Sequence, residues 1–343
     1  MEYGAIDLHT RESEIRIVSE DGTEVFARRV ATRPDALARV FAGRAPLRVL
    51  LESGTESEWV AQSLEGWGHT VVVADPNYAP MYGARHRRVK TDRRDVAALA
   101  EANRRGWYRP AHRVSRAQQT VREALTIRRT LINQRTQLIA VVRTVVRRHG
   151  DRVPSGQAET FVARVRQRIL PAPLQTAVAP LLIALEGLAP LIAAADQAAT
   201  MQARGDTVAR RLMTAPGVGP ITALNYRAAL DRVERFADAG AVASYLGLVP
   251  REHSSGDQQR KGRITKAGPR EPRAMLVQAS WTIWRMRRGP GVGLAAWAHR
   301  LAARRGRRVA IVALARRLAR ILFAIWRDDQ PYRESLRHLA SAA

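Results

Sequence analysis

The sequence predicts a two-part chain, an α/β front followed by an all-α rear, and three observations carry that reading. The front opens with alternating strand patterns turned at Asp21-Gly22 and continues with helical and strand patterns in alternation. No proline occurs between Pro110 and Pro154, and apolar pairs recur there every seven residues. The charge divides with the pattern: residues 1–110 carry 17 basic and 16 acidic side chains, residues 111–343 carry 40 and 15.

Taken in order, Tyr3 to Leu8, Glu14 to Ser19 and Glu24 to Val30 read as adjacent strands, the last two joined through Glu20-Asp21-Gly22. A helical pattern from Pro34 to Phe41 leads to the apolar run Leu47 to Leu51, a helix from Glu56 to Trp67, the strand His69 to Ala74 and, after Pro76 and Pro80, a helix over Asp92 to Arg104. An antiparallel hairpin followed by α/β crossovers is the layout of an RNase H-like fold, although the order of elements also fits other α/β domains.

The proline-free stretch reads as one long helix with a coiled-coil seam of Ala124/Leu125, Leu131/Ile132, Leu138/Ile139 and Val145/Val146, stopped at Gly150. Its other faces carry nine arginines between Arg113 and Arg148 against the single acid Glu123, so Arg128, Arg135 and Arg143 are candidate contacts to nucleic-acid backbone. Leu170 to Arg204 supplies a second helix antiparallel to the first. From Thr207 the chain reads as a compact helical domain with one glycine-rich basic loop between Pro250 and Pro272, where Trp281, Trp284, Trp297 and Trp326 are core residues before they are base-stacking platforms. The domains are thus 1–110, a helical linker 111–205, a C-terminal domain 206–327 and a tail 328–343.

The chain has 343 residues, a net charge of +26 and no cysteine. Disulfides, cysteine-ligated zinc and a thiol nucleophile are excluded, and a reducing cytoplasm fits. No signal peptide is expected, since Met1 to Leu8 is short and carries Glu2 and Asp7. The apolar stretch Ala177 to Ala195 is broken by Pro180, Glu186 and Pro190, so no membrane span or membrane partner is expected. The cationic rear favours a polyanion, nucleic acid above all.

Three groups of residues carry chemistry. Asp7 interrupts an apolar strand and Glu52 ends another, while Asp92 and Asp95 share a face at a helix start. Singly, each has a plain alternative as a cap or a solvated charge. Jointly, four carboxylates make an all-oxygen site for hard cations, and two Mg²⁺ (or Mn²⁺) roughly 4 Å apart suit phosphoryl transfer. The second group is Pro216-Gly217-Val218-Gly219 before a helix, a helix-hairpin-helix-like turn in which Gly217 and Gly219 can hold a phosphate or merely connect two helices. The third is the loop with Ser254, Ser255 and Gly256, flanked by Arg260, Lys261, Arg263 and Lys266, whose cations could bind a phosphodiester attacked by a serine oxygen. His253 and His86 are eligible general bases but read first as surface or phosphate-contacting residues.

These three groups, in this order and separated by an arginine-rich helix, resemble the "IS one-ten" family of insertion-sequence transposases and the related Piv-type DNA invertases. Gly4-Ala5-Ile6-Asp7, Leu51-Glu52-Ser53-Gly54 and Lys90-Thr91-Asp92-Arg93-Arg94-Asp95 look like its RuvC-like DEDD signature. Pro216 to Gly219, Tyr245-Leu246-Gly247-Leu248-Val249-Pro250 and Ser255-Gly256 through Lys266-Ala267-Gly268 look like its C-terminal transposase domain. The resemblance implies that Asp7, Glu52, Asp92 and Asp95 bind divalent metal and that Ser255 is the DNA nucleophile. It implies donor and target DNA as substrates, a homodimer assembling to a tetramer, and in some members a bridge RNA. Two features depart from the pattern: Ser254 precedes Ser255, and Pro269 follows Ala267-Gly268. The alternatives are a RuvC-type metal-dependent structure-selective nuclease, in which water attacks, and a non-catalytic nucleic-acid-binding protein.

Overall fold

The computed structural model describes residues 1–82, 92–252 and 261–333. They divide into two compact units, Met1–Val114 and one beginning at Ser115. Each is described by itself.

Unit 1 is built on a five-stranded sheet. Strands β1 (Tyr3–Asp7), β2 (Glu12–Val18) and β3 (Glu24–Ala31) form an antiparallel meander, and β4 (Arg48–Glu52) and β5 (Thr70–Ala74) extend it in parallel on the other side of β1. The spatial order is therefore β3-β2-β1-β4-β5. Gly22 takes the positive φ of +93° that the turn between β2 and β3 requires. Helices α1 (Pro34–Phe41) and α2 (Ser57–Gly66) bury Leu37, Phe41, Val60 and Leu64 against Ile6, Ile15, Ile17 and Leu51. Helix α3 (Asp92–Arg105) covers the other face, where Val96, Leu99 and Ala100 meet Ala5, Val18, Leu50 and Ala74. This alternation comes from the period of two along each strand: Ala5 and Asp7 point to the α3 side, Ile6 to the other. Asn103 fastens α3 by donating to the carbonyls of Gly4 at 2.7 Å and Arg48 at 2.8 Å.

Unit 2 begins with α4 (Arg116–Arg148), which at 33 residues spans about 50 Å. Its first turn is tied down by Asp231, whose carboxylate accepts from the Ser115 N–H at 3.1 Å and the Ser115 hydroxyl at 2.6 Å. After the short α5 (Phe161–Arg166), α6 (Ala172–Gly205) returns along α4 in the antiparallel sense. At one end of the pair Val142 and Val146 meet Leu174, Val178 and Leu182; at the other Val121 and Leu125 join Ala199 and Ala203 in the core of the remaining helices.

Two expectations change here. Pro180 and Pro190 lie inside one continuous helix, because each removes only a single intrahelical hydrogen bond and the packing of Leu182, Leu185 and Ile192 supports the turns around them. By length and composition alone α6 would suffice to cross a membrane. The seam of α4 also widens: Leu125, Leu131, Ile132, Leu138, Ile139, Val145 and Val146 of the expected pairs are buried or half-buried, and further positions join them. Val121, Leu125, Arg128, Ile132, Arg135, Ile139, Val142 and Val146, at alternating steps of four and three, are buried or half-buried throughout, whereas Ala124 is exposed. Arginine thus occupies two seam positions of what reads as an apolar heptad.

The rest of unit 2 is α7 (Thr207–Leu212), α8 (Pro220–Leu230), α9 (Ala239–Tyr245), α10 (Arg270–Trp284), α11 (Val292–Arg305) and α12 (Arg307–Arg327). Tyr226 is fully buried among them and donates to the Ala319 carbonyl at 2.8 Å. Where the sequence suggests only a loop, β6 (Pro250–Glu252) and β7 (Lys261–Ile264) pair antiparallel. Pro269 stands immediately before the first turn of α10, a place where a missing N–H costs nothing. Of the four C-terminal tryptophans only Trp326 is buried; Trp284 and Trp297 pack partly exposed against the core, and Trp281 stacks edge-on to Trp284 at 6.5 Å.

Candidate functional site

The sheet of unit 1 brings the carboxylates together at one end of one face. Asp7 ends β1 and Glu52 ends the neighbouring parallel β4, both on the face covered by α3. Asp92 and Asp95 stand in the first turn of that helix. Asp95 is buried and Asp92 half-exposed. Burial pushes the Asp7 carboxyl above its ordinary range; His9 opposes the shift, and the charges of Glu52, Asp95 and Asp92 add to it. All four acids therefore share one electrostatic neighbourhood.

The structure adds His9, which the sequence reading missed. Its Nε2 lies 3.5 Å from Asp7 Oδ2 and 3.7 Å from Asp92 Oδ1, and one ligand atom from each of these three residues falls within a 4.8 Å cluster. The available signal was position, since His9 follows Asp7 by two residues. Arg29 is the second missed neighbour: its Nε donates to Glu14 at 2.8 Å and its Nη2 to Asp92 at 3.0 Å. Asp7 pairs with Glu14 and Glu14 with Arg29 in the strand register, so the three form a row across β1, β2 and β3. The hydrogen bond and charge of Glu14, followed by the charge of Asp92, raise the guanidinium pKa.

The donor set fits a divalent cation. The carboxylates are hard oxygen ligands, and burial raises the Asp7 pKa in a neighbourhood to which Glu52, Asp95 and Asp92 add negative charge.

The other sequence candidates lie in unit 2. Gly217 has a φ of +73°, and a Cβ there would stand 2.7 Å from the Ala279 carbonyl oxygen, so this glycine is required by the approach of α10. Gly219 is exposed at the start of α8. Arg263 and Lys266 are exposed beside β7. Arg128 and Arg135 do not lie on the outer faces of α4 where the sequence reading places them. Arg128 donates to Asp196 at 2.5 Å and Arg135 to Glu159 at 2.7 Å, with side chains 17% and 18% exposed. Arg143 lies over the ring of Phe161 at 5.5 Å. Ser254, Ser255, His253, Arg260 and His86 lie outside the described residues, as does the side chain of Lys261.

Comparison with known proteins joins the two units. Residues 5–150 match the family model of DEDD transposases and residues 209–291 that of the transposase IS116/IS110/IS902 family. A Pseudomonas aeruginosa protein named "Probable family 20 transposase" is 31% identical over 84% of this chain and 86% of its own length. The chain belongs to the IS116/IS110/IS902 family of transposases. The transposase for insertion sequence element IS1111A of Coxiella burnetii is 26% identical over 92% of this chain and 87% of its own, and that for IS1328 of Yersinia enterocolitica 24% over 93% and 95%. This transposase is accordingly an enzyme that cuts and joins DNA, with a DEDD domain whose acids are suited to divalent metal.

Proposed function

We propose that this transposase cuts and rejoins DNA at the ends of an insertion sequence with unit 1 as an RNase H-like, RuvC-type metal domain and Ser255 as nucleophile. The observation that carries the reading is the gathering of Asp7, Glu52, Asp92 and Asp95 at one end of one sheet face. Asp7, Glu52, Asp92 and Asp95 would hold Mg²⁺ or Mn²⁺, and the bound ion would supply charge neutralisation at the phosphodiester. His9 orients the Asp7 and Asp92 carboxylates from its place between them.

In the transfer step the Ser255 hydroxyl oxygen bonds to phosphorus, the bond from phosphorus to one deoxyribose oxygen breaks, and that oxygen takes up the proton. Reversal with a different deoxyribose hydroxyl rejoins the strand. Arg263 and Lys266, with Arg260 and Lys261 in the same loop, offset the charge that grows on the phosphate oxygens. Gly219 at the start of α8 suits a phosphate contact. The +25 charge beyond residue 110 suits a protein that holds donor DNA, target DNA and a bridge RNA together in the cytoplasm. The protein would act as a homodimer that assembles to a tetramer, as the family resemblance implies.

The test is a denaturing-gel search for a covalent protein–DNA adduct, using full-length protein, element-end DNA, co-purified RNA and Mg²⁺. The expected adduct disappears in Ser255→Ala and in Asp7→Ala and persists in Ser254→Ala. Cleavage without an adduct would replace this reading by the water-attacking nuclease, and binding without cleavage by the non-catalytic binding protein.

A further inference from the structure

The near-neutral charge of residues 1–110 conceals a one-sided distribution. Edge strand β3 and helix α1 enclose a groove of about 680 Å³ whose lining includes Phe26 and five arginines, Arg28, Arg29, Arg33, Arg39 and Arg44. Arg29 is held by Glu14 and Asp92 and Arg44 by the Val40 carbonyl, whereas Arg28, Arg33 and Arg39 are lightly held. Asp35 is shared by Arg33 at 3.1 Å and Arg39 at 3.0 Å in exposed pairs, and Arg44 is 3.7 Å from Glu2 while its guanidinium lies over Phe26. Among the described residues Arg28 has no carboxylate partner.

The groove continues to the carboxylates. Arg28 shares the α1 side of β3 with Phe26 and Val30, and Arg29 points to the opposite side, where it reaches Glu14 and Asp92. A second hollow of about 280 Å³, lined by Arg16, Arg28, Arg29 and Arg93 together with Glu14, shares both residues with the first. A basic track therefore crosses the edge of the sheet and ends at Asp92.

We propose that the β3–α1 groove binds the phosphodiester backbone of the DNA strand presented to the carboxylates of unit 1; the inference rests on the proposed role of Asp7, Glu52, Asp92 and Asp95. Guanidinium groups grip phosphate in a planar, two-pronged way, and the cations of this groove are arginines throughout. Among the described residues the outer edge of β3 also has backbone N–H groups without a strand partner, which are free to donate to phosphate oxygens. Arginines along an edge oppose the addition of another protein strand, which disfavours a protein occupant. Continuity with Asp92 through Arg29 leads the groove to the acids, and the substrate a transposase brings to such acids is DNA, which makes DNA the occupant.

The absence of cysteine makes the test direct. A Cβ at Gly43, a groove residue, meets nothing within 4 Å, and the same holds at Gly66, which does not line the groove. Gly43→Cys and Gly66→Cys in the full-length protein each provide a single thiol for a photoactivatable aryl azide, irradiated with end-labelled element-end duplex DNA. The expected result is a DNA adduct from Gly43→Cys and none from Gly66→Cys. That adduct falls at least about tenfold when Arg28, Arg33 and Arg39 are also changed to alanine, and the slope of log affinity against log salt falls by roughly 2.7, at about 0.9 per phosphate contact. Arg28→Glu alone, at an exposed position, gives a partial loss without risk to the fold. No adduct at Gly43→Cys, an equal adduct at Gly66→Cys, indifference to the arginine changes, or an adduct with RNA only would overturn the proposal. Asp7→Asn is expected to keep the adduct while losing cleavage. A Gly43→Cys protein with all four acids intact that forms the adduct yet never cleaves would refute the role of the carboxylates while leaving the groove as a DNA site.

Discussion

His9 Nε2 and Asp7 Oδ2 stand 3.5 Å apart, and the same nitrogen is 3.7 Å from Asp92, so one imidazole sits between carboxylates drawn from a strand end and a helix start. Burial nonetheless keeps the Asp7 pKa above its ordinary range, with Glu52, Asp95 and Asp92 adding to the rise. A carboxylate desolvated among other acids carries a cost that a metal ion would relieve.

Removing one of those charges should therefore stabilise the metal-free protein. Asp7→Asn in EDTA is expected to melt a few degrees higher than wild type, a gain on the order of 1 kcal/mol. Mg²⁺ or Mn²⁺ should raise the melting temperature of wild type and leave Asp7→Asn nearly unmoved, read by scanning calorimetry. Equal metal-induced shifts in both proteins would dissociate Asp7 from metal binding.

On α3, Glu101 reports the opposite sign. Arg104 grips its carboxylate at 2.8 and 2.9 Å and Arg105 joins them, lowering its pKa from 4.5 to about 2. A depressed carboxyl contributes stability that is complete above the unfolded value and is lost as pH falls through the folded one. Wild type should exceed Glu101→Gln by about 1 kcal/mol near pH 6, given the partial exposure of these pairs, with the gap closing between pH 4.5 and 2. Denaturant unfolding at several pH values measures it, and a gap that stays constant down to pH 3 would refute the linkage.

The arginines in the α4 seam offer a third test. Because Arg128 and Arg135 are spent on Asp196 and Glu159, Arg128→Leu and Arg135→Leu should leave stability unchanged or raise it by about 1 kcal/mol, as leucine restores an apolar heptad. DNA affinity should change less than twofold at fixed salt. A fall in the salt slope of about 0.9 per substitution would restore them as phosphate contacts.

Much of unit 1 was legible in the chain because its signals are local. The helix Pro34–Phe41 coincides with its sequence pattern, and the five strands differ from theirs by two residues or fewer at each end. The acids at Asp7 and Glu52 stood out because each interrupts or ends an apolar run. The rear was legible in outline only: two helices of the expected course, but with Pro180 and Pro190 inside one of them and Arg128 and Arg135 in the seam of the other. Heptad spacing marks which positions recur, whereas the facing helix decides which of them are covered.

By itself the sequence determined the strands and helices of unit 1, the division of charge and the choice of four acids as candidates, because period, capping and turn chemistry act over a few neighbouring residues. Only the tertiary structure decided that Asp7 and Asp92, 85 positions apart, share His9, that Arg29 bridges Glu14 to Asp92, and that the arginines of β3 and α1 line one groove. Those contacts depend on strand register and on the docking of α3 and α1 onto opposite faces of one sheet, which non-local burial sets and no local pattern encodes.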